Sequence, residues 1–318
     1  MGSGGTDYYQ PLPQRALLAL APLKGPHSMT RKSAIIFALV GILWGVPYLF
    51  IKVAVDETDG YPPAIVVFGR VFIGALILIP LALRDKSIFA ALKGIKYVAI
   101  YAVLEMIIPW LLIGTAEQKI SSGLAGLLIA SVPIWSTLIT YFQGDKEALR
   151  FNRLLGIGVG FIGVVLIVGI ESLTGTSDAL SILMVLVAAF AYAYAIIMIR
   201  EKLPDVSGIA INAVAMAIAA IFYLPFTIAL WPDRAISTDA TLSVIALGVF
   251  STGIAFAIFF TLIEEIGPTR ASVVTYWNTA IAVLLGVLIL NEELTIGIRV
   301  GLPLVMIGSY LVTRREKV

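Results

Sequence analysis

Apolar windows of about 20 residues recur along this chain from residue 33 to residue 313, and no other feature restricts its folding so strongly. A helix rising 1.5 Å per residue needs roughly that length to cross about 30 Å of hydrocarbon. Hydrocarbon offers no partner to a backbone amide, so only helices or closed barrels can cross it. Barrel strands would alternate apolar and polar over about 10 residues, and these runs do not alternate. Composition agrees: 59% of the 318 residues are hydrophobic and 13% are charged, too few to build a soluble surface. The expected fold is an all-α polytopic membrane protein.

Breaks at charge, Gly and Pro predict ten transmembrane helices, near 33–53, 64–83, 94–114, 121–142, 152–170, 179–200, 207–231, 240–262, 269–290 and 296–313. With the N-terminus cytoplasmic, 15 Lys and Arg residues fall on the cytoplasmic side and 4 on the other. Positive charge is retained inside, so this bias supports both the count and cytoplasmic N- and C-termini. Residues 1–28 are rich in Gly and Pro and precede Met29; they are expected to be an appended leader or a disordered native extension. The segment "RALLALAPL" is too short to span and too weak for a signal peptide.

The chain has no cysteine, which excludes disulfides, thiolate metal sites and thiol nucleophiles. Its one histidine, His27, precedes the first span, so imidazole chemistry within the membrane is excluded as well. No metal or other cofactor is expected.

The two halves resemble each other. "LLGIGVGFIGVVLIV" (154–168) matches "RVGLPLVMIGSYLVT" (299–313), with Gly156 over Gly301 and Gly163 over Gly308. The same offset of 145 sets Pro80 over Pro225 and Glu147 over Glu292. "QKISSGLAGLL" (118–128) follows "EIGPTRASVVT" (265–275), and "LWGVPYLFIK" echoes "AYAYAIIMIR", at nearby offsets. Five helices per half is an odd number, so the second half would cross in the opposite sense. The expectation is two inverted five-helix repeats, 31–170 and 179–316, with a site between them near the bilayer midplane.

Ten helices in a 5+5 arrangement, the "LWGVPYLFIK" first span, the paired glycines of spans five and ten and the acids after spans four and nine resemble the EamA family of drug/metabolite transporters. The aromatic-rich spans are most similar to YddG-type exporters of aromatic amino acids. Span nine departs from the family pattern: Asn278-Thr279 occupies the place often taken by an acid-proline pair. The resemblance implies a multi-pass protein of a bacterial inner membrane that moves small molecules outward. It also implies a structural place for Arg70, which matches a frequent family arginine.

Ionisable groups at membrane depth are costly and mark function or packing. Two lie well inside. Arg70 is roughly 9 Å, and Glu105 roughly 13 Å, from the outer ends of their helices. They could form a structural ion pair, or Glu105 could bind a proton or a substrate ammonium. Trp44 and Tyr48 share a face of span one with Lys52; Tyr101, Glu105 and Pro109 share one of span three; Ser131 and Trp135 share one of span four. Tyr192, Tyr194, Tyr276 and Trp277 also sit within spans. Mid-span rings with N–H and O–H groups suit either a substrate cavity or plain packing, since those groups need partners. Asn278 is the strongest candidate for a substrate hydrogen bond. Pro47, Pro109 and Pro133 are candidate hinges. Gly41-x-x-x-Gly45 and Gly156-x-x-x-Gly160 allow close helix contact, expected within a monomer more than across a homodimer.

No Walker A pattern is present, so ATP hydrolysis in this chain is not expected. Spans nine and ten hold no Lys or Arg at depth, which argues against phosphorylated substrates. An intramembrane enzyme would have to work with Ser, Thr or carboxylates alone. The expected function is secondary-active export of small organic solutes, aromatic or hydrophobic amino acids foremost, by alternating access. The partners are the substrate, the lipid bilayer and, as one option, a coupling proton; no nucleic acid is expected. A facilitative carrier or channel without ion coupling, or an exporter of other metabolites or drugs, is the alternative.

Overall fold

The computed structural model describes residues 30–84, 86–144, 151–174, 178–266, 271 and 274–313. All regular structure among them is helical. Seven helical stretches are long and apolar enough to cross a membrane: 31–54, 63–84, 95–117, 122–142, 179–202, 208–229 and 238–263. Shorter apolar segments occupy 154–166, 277–289 and 296–308. The chain is therefore a polytopic helical membrane protein, as its apolar runs require.

Several stretches are broken, and the breaks have local causes. The first consists of α1 (Arg31–Gly45) and α2 (Pro47–Ala54). Then come α3 (Pro63–Arg84) and the short α4 (Ile88–Lys93). The next stretch runs from α5 (Ile95–Ala102) through a π-helical turn, Val103–Ile107, to α6 (Ile108–Glu117). It is followed by α7 (Ser122–Ile129), α8 (Val132–Phe142), α9 (Phe151–Thr174), α10 (Ala179–Lys202) and α11 (Gly208–Ala229). A second π-helical segment, Leu247–Ile254, joins α12 (Thr238–Ala246) to α13 (Ala255–Ile266). The chain closes with α14 (Val274–Ile289) and α15 (Ile296–Thr313).

Pro47, Pro109 and Pro133 each fall in the first turn of a helix, where proline's missing N–H breaks no hydrogen bond. Each therefore marks a discontinuity. Pro80, Pro225 and Pro303 lie inside continuous helices. Start signals are polar side chains on free amides: Thr30, Ser121, Asp178 and Ser237 each accept from the backbone N–H three residues on.

The longest packed pairs are α9 with α15 and α3 with α11. Helix α14 lies on α1 and α7, and α10 lies on α6, α7 and α8. The second π segment packs on α3, and α11 packs on α5. One core gathers α3, α5, α6, α10 and α11 around Met216 and Tyr223; another gathers α2, α6, α7 and α10 around Leu124 and Leu128. Large apolar side chains such as Ile35, Leu39, Phe72 and Leu183 remain exposed, a belt that fits lipid and not water.

Candidate functional site at the helix breaks

Between the two π-helical segments lies a buried polar cluster. Arg70, in the middle of α3, is 9% exposed. Its Nε donates to Thr252 Oγ1 at 2.9 Å, from the second π segment. Its guanidinium lies over the Trp110 ring, 3.6 Å from the centroid. A desolvated cation gains most from such a ring face, and a planar guanidinium fits it better than an ammonium. Glu105 sits in the first π segment with Oε2 buried and without a hydrogen-bond partner. The salt bridges among the described residues include Lys32–Glu265 and Lys202–Glu201 and no direct Arg70–Glu105 bridge. Arg70 nevertheless lies within electrostatic reach of Glu105, Tyr48, Tyr192 and Glu117.

Tyr101 completes this side by donating to Asn212 Oδ1 of α11 at 3.3 Å, while Asn212 Nδ2 holds Gly208 O at 2.9 Å. Ser251, beside Thr252, is fully buried and its hydroxyl meets no partner. Unpaired polar atoms are rare in an apolar interior because each carries a desolvation penalty. Here Glu105 and Ser251 bring two of them, one from each π segment. π turns commonly mark functional positions in helices.

The first π segment also corrects the face expected for the third stretch. Spacing of four places Tyr101, Glu105 and Pro109 in line on an α-helix. A π turn closes its hydrogen bond one residue later, so the register is delayed. Trp110, which the α-helical spacing overlooked, comes to Arg70, and Pro109 falls in the first turn of α6.

The other expected site residues are dispersed. Trp44 packs on Phe256 and Phe259, with centroids 5.6 and 4.4 Å away. Tyr48 is buried against Gly126. Ser131 donates to Leu128 O at 2.6 Å within its own helix break. Trp135 meets Phe190 edge-on and its buried indole N–H has no partner. Tyr194 shares an exposed stripe of α10 with Leu183, Val187 and Phe190. Trp277 is exposed and lies against Gly41 of α1, where no side chain would fit. Asn278 is half-buried, and its Oδ1 is 3.3 Å from the Thr279 hydroxyl. The Tyr276 side chain lies outside the described residues.

A second construction closes the end that carries few basic residues, called outer below. Lys52 Nζ donates to the carbonyls of Glu117 and Ile120, at 2.5 and 2.9 Å, at the C-terminal end of α6. Glu292 accepts from Ser122 N at 2.7 Å, Ser122 Oγ at 2.9 Å and Gly123 N at 3.1 Å, at the start of α7. A cation on helix carbonyls and an anion on helix amides match both ends of the dipoles. Arg234 donates to the carbonyls of Thr58 and Gly60, and Ser237 N to Asp59 O at 2.9 Å. Lys52 and Glu292 border a cavity of about 320 Å³, together with Asp56, Asp59, Ser237 and Asp239.

With this geometry in place, likeness to known proteins becomes informative. The EamA-like transporter family model matches twice, over residues 31–169 and 179–314. The chain belongs to the EamA-like transporter family. It is 26% identical to the "Uncharacterized transporter YoaV" of Bacillus subtilis, covering 86% of this chain and 94% of that protein. An "Uncharacterized transporter" of Archaeoglobus fulgidus is 28% identical, over 90% of this chain and all of its own length. The inner membrane transporter YedA of Escherichia coli is 27% identical over 87% of this chain and 90% of its own. A solved structure superposes with a TM-score of 0.62 at 18% identity, covering 88% of this chain and 97% of the other, which speaks for the fold alone. This EamA protein is a multi-pass membrane transporter and not an enzyme.

Proposed function

We propose that this protein is a secondary-active exporter of small zwitterions, aromatic and hydrophobic amino acids foremost, working by alternating access across ten membrane spans. The observation that carries the substrate class is the buried juxtaposition of Arg70, Trp110 and Glu105. Two opposite charges within electrostatic reach but without a salt bridge can serve the two ends of an amino acid. The guanidinium suits a carboxylate, Glu105 suits an ammonium, and Trp110, Tyr101 and Tyr192 offer faces for an apolar side chain.

The ten spans are read as two inverted five-helix repeats with both termini in the cytoplasm. Three observations support this. Exchanging α1–α2 with α10, α3 with α11, α5–α6 with α12–α13, α7–α8 with α14, and α9 with α15 maps the principal helix pairings onto themselves. The two π segments fall in exchanged stretches, as do Pro80 and Pro225. The family match also falls twice. Rocking one half against the other would then open the central cluster to each side in turn. Export, and kinship with YddG-type exporters in particular, rest on the resemblance of the aromatic-rich spans.

The test is reconstitution into liposomes with a panel of labelled amino acids, with and without a pH gradient. Gradient-dependent flux of aromatic amino acids, lost in Glu105→Gln and in Arg70→Lys, is the expected result. No flux for any solute would overturn the transport mechanism. Flux indifferent to every gradient would make the protein a facilitative carrier.

A further inference from the structure

Beneath the outer clamp lies a carboxyl that the proposed transport site does not use. Glu117, the last residue of α6, is fully buried, and neither of its carboxyl oxygens meets a hydrogen-bond partner. The charged and titratable groups that face it are Lys52 and Tyr48 from the first stretch, Arg70 from α3 and Glu292 from the connection between α14 and α15. None of them forms an ion pair or hydrogen bond with the Glu117 carboxyl. The Lys52 ammonium is engaged on two backbone carbonyls, one of them that of Glu117 itself. The Arg70 guanidinium is engaged on Trp110 and Thr252. Glu292 would repel a second negative charge and is itself held by the amides of α7. A buried carboxylate requires a paired cation or several donors, whereas the neutral acid, although its hydroxyl still lacks a partner, carries a far smaller desolvation penalty. The closed outer face fits the neutral acid.

We propose that Glu117 is a proton-binding site, and that the outer face closes over it only when it carries a proton. This rests on the alternating-access mechanism. Separating the α14–α15 connection from the start of α7 admits water to Glu117. The acid then exchanges its proton with the outer medium, and Lys52 is free to turn from the carbonyls to the carboxylate. Closure removes that water, so it must wait for the proton to return. The site is distinct from the cluster at Glu105: it would set when the outer gate shuts, not which solute is held.

The chain has no cysteine, so the gate can be read with a single introduced thiol. Val283 is 8% exposed, and its Cα lies 3.2 Å from where a side chain on Gly123 would begin, directly under the Glu292 contact. In reconstituted Val283→Cys protein, the rate of reaction with a membrane-impermeant maleimide is measured against outer pH. It is normalised to the exposed Glu57→Cys, which corrects for ionisation of the thiol. The expected rate rises with pH by up to about tenfold per unit, the limit for one linked proton. Adding Glu117→Gln, which mimics the neutral acid, should leave slow labelling without that slope, and Glu117→Asp should restore it. A slope that survives Glu117→Gln overturns the proposal. Labelling of Val283→Cys, with Glu117 in place, that responds to a panel of aromatic amino acids but not to pH overturns the proton site and leaves alternating access standing. Labelling that responds to neither overturns alternating access itself.

Discussion

The crossing of α9 and α15 allows two chemically identical substitutions to be predicted with opposite signs. A methyl added at Gly308 would stand 2.5 Å from the Gly160 Cα and 2.6 Å from the Gly156 carbonyl oxygen. Ordinary contact begins at 3.4 Å, so the helices would have to separate by almost 1 Å. The obstacle is backbone on both sides, and no rotamer can turn away. Overpacking of this kind costs about 1–3 kcal/mol, and removing a glycine from a helix interior returns about 0.5–1 kcal/mol. Gly308→Ala should therefore destabilise by about 1–2 kcal/mol. Gly158, two residues from Gly160 and so on the opposite side of the facing helix, has nothing within 4 Å of the same methyl. Gly158→Ala should stabilise by about 0.5–1 kcal/mol, because only the glycine term operates. Both variants can be followed by denaturant or thermal unfolding of purified protein in detergent, with the wild type alongside. Their separation, about 2 kcal/mol, exceeds the error of such titrations. Equal stabilities, or a more stable Gly308→Ala, would refute the reasoning, since the two helices could not then touch at these glycines.

Three further outcomes follow from the site and its gates. Arg70→Lys keeps the charge but loses the stacked plane on Trp110 and the Nε donor to Thr252; a loss of about 2 kcal/mol in unfolding is expected, and Thr252→Val should cost less, about 0.6–1.7 kcal/mol. Wild-type flux in Arg70→Lys would show that the cluster is not the substrate site. Glu292→Gln should weaken the grip on the α7 amides by about 1 kcal/mol and raise maleimide labelling at Val283→Cys, and unchanged labelling would contradict its role in closure. At the opposite end, hydrogen bonds from Lys32 and Ser33 hold the Glu265 carboxyl below the usual carboxylate range. A lowered folded value means that the contribution is complete above the unfolded value and is lost as pH falls through the folded one. Lys32→Met should thus lower the melting temperature at pH near 7 and lose that effect in acid, once the pH has fallen well below the lowered value of the folded carboxyl. An effect of equal size at both pH values would place the contribution in packing.

Much of the architecture was legible because lipid tolerates so few choices. Apolar length located the helices, and Pro, Gly and charge located most of their ends. Arg70 and Glu105 stood out because charge at membrane depth is costly. Trp110 did not, because reading it requires the π turn, and nothing in "VLEMI" announces a π turn over an α turn. Glu117 and Glu292 were hidden for a related reason. Both sit at helix ends, where an acid reads as solvent-exposed unless another segment covers it.

The sequence by itself therefore determined the class of protein, the helices and the absence of thiol and imidazole chemistry, since each follows from residue type alone. Only the tertiary structure decided which polar groups meet: Arg70 with Trp110 and Thr252, Tyr101 with Asn212, Glu292 with the α7 amides, and Glu117 with nothing. Such partnerships join residues more than 100 positions apart in most cases, and their energy depends on distance and burial, which periodicity along the chain does not contain.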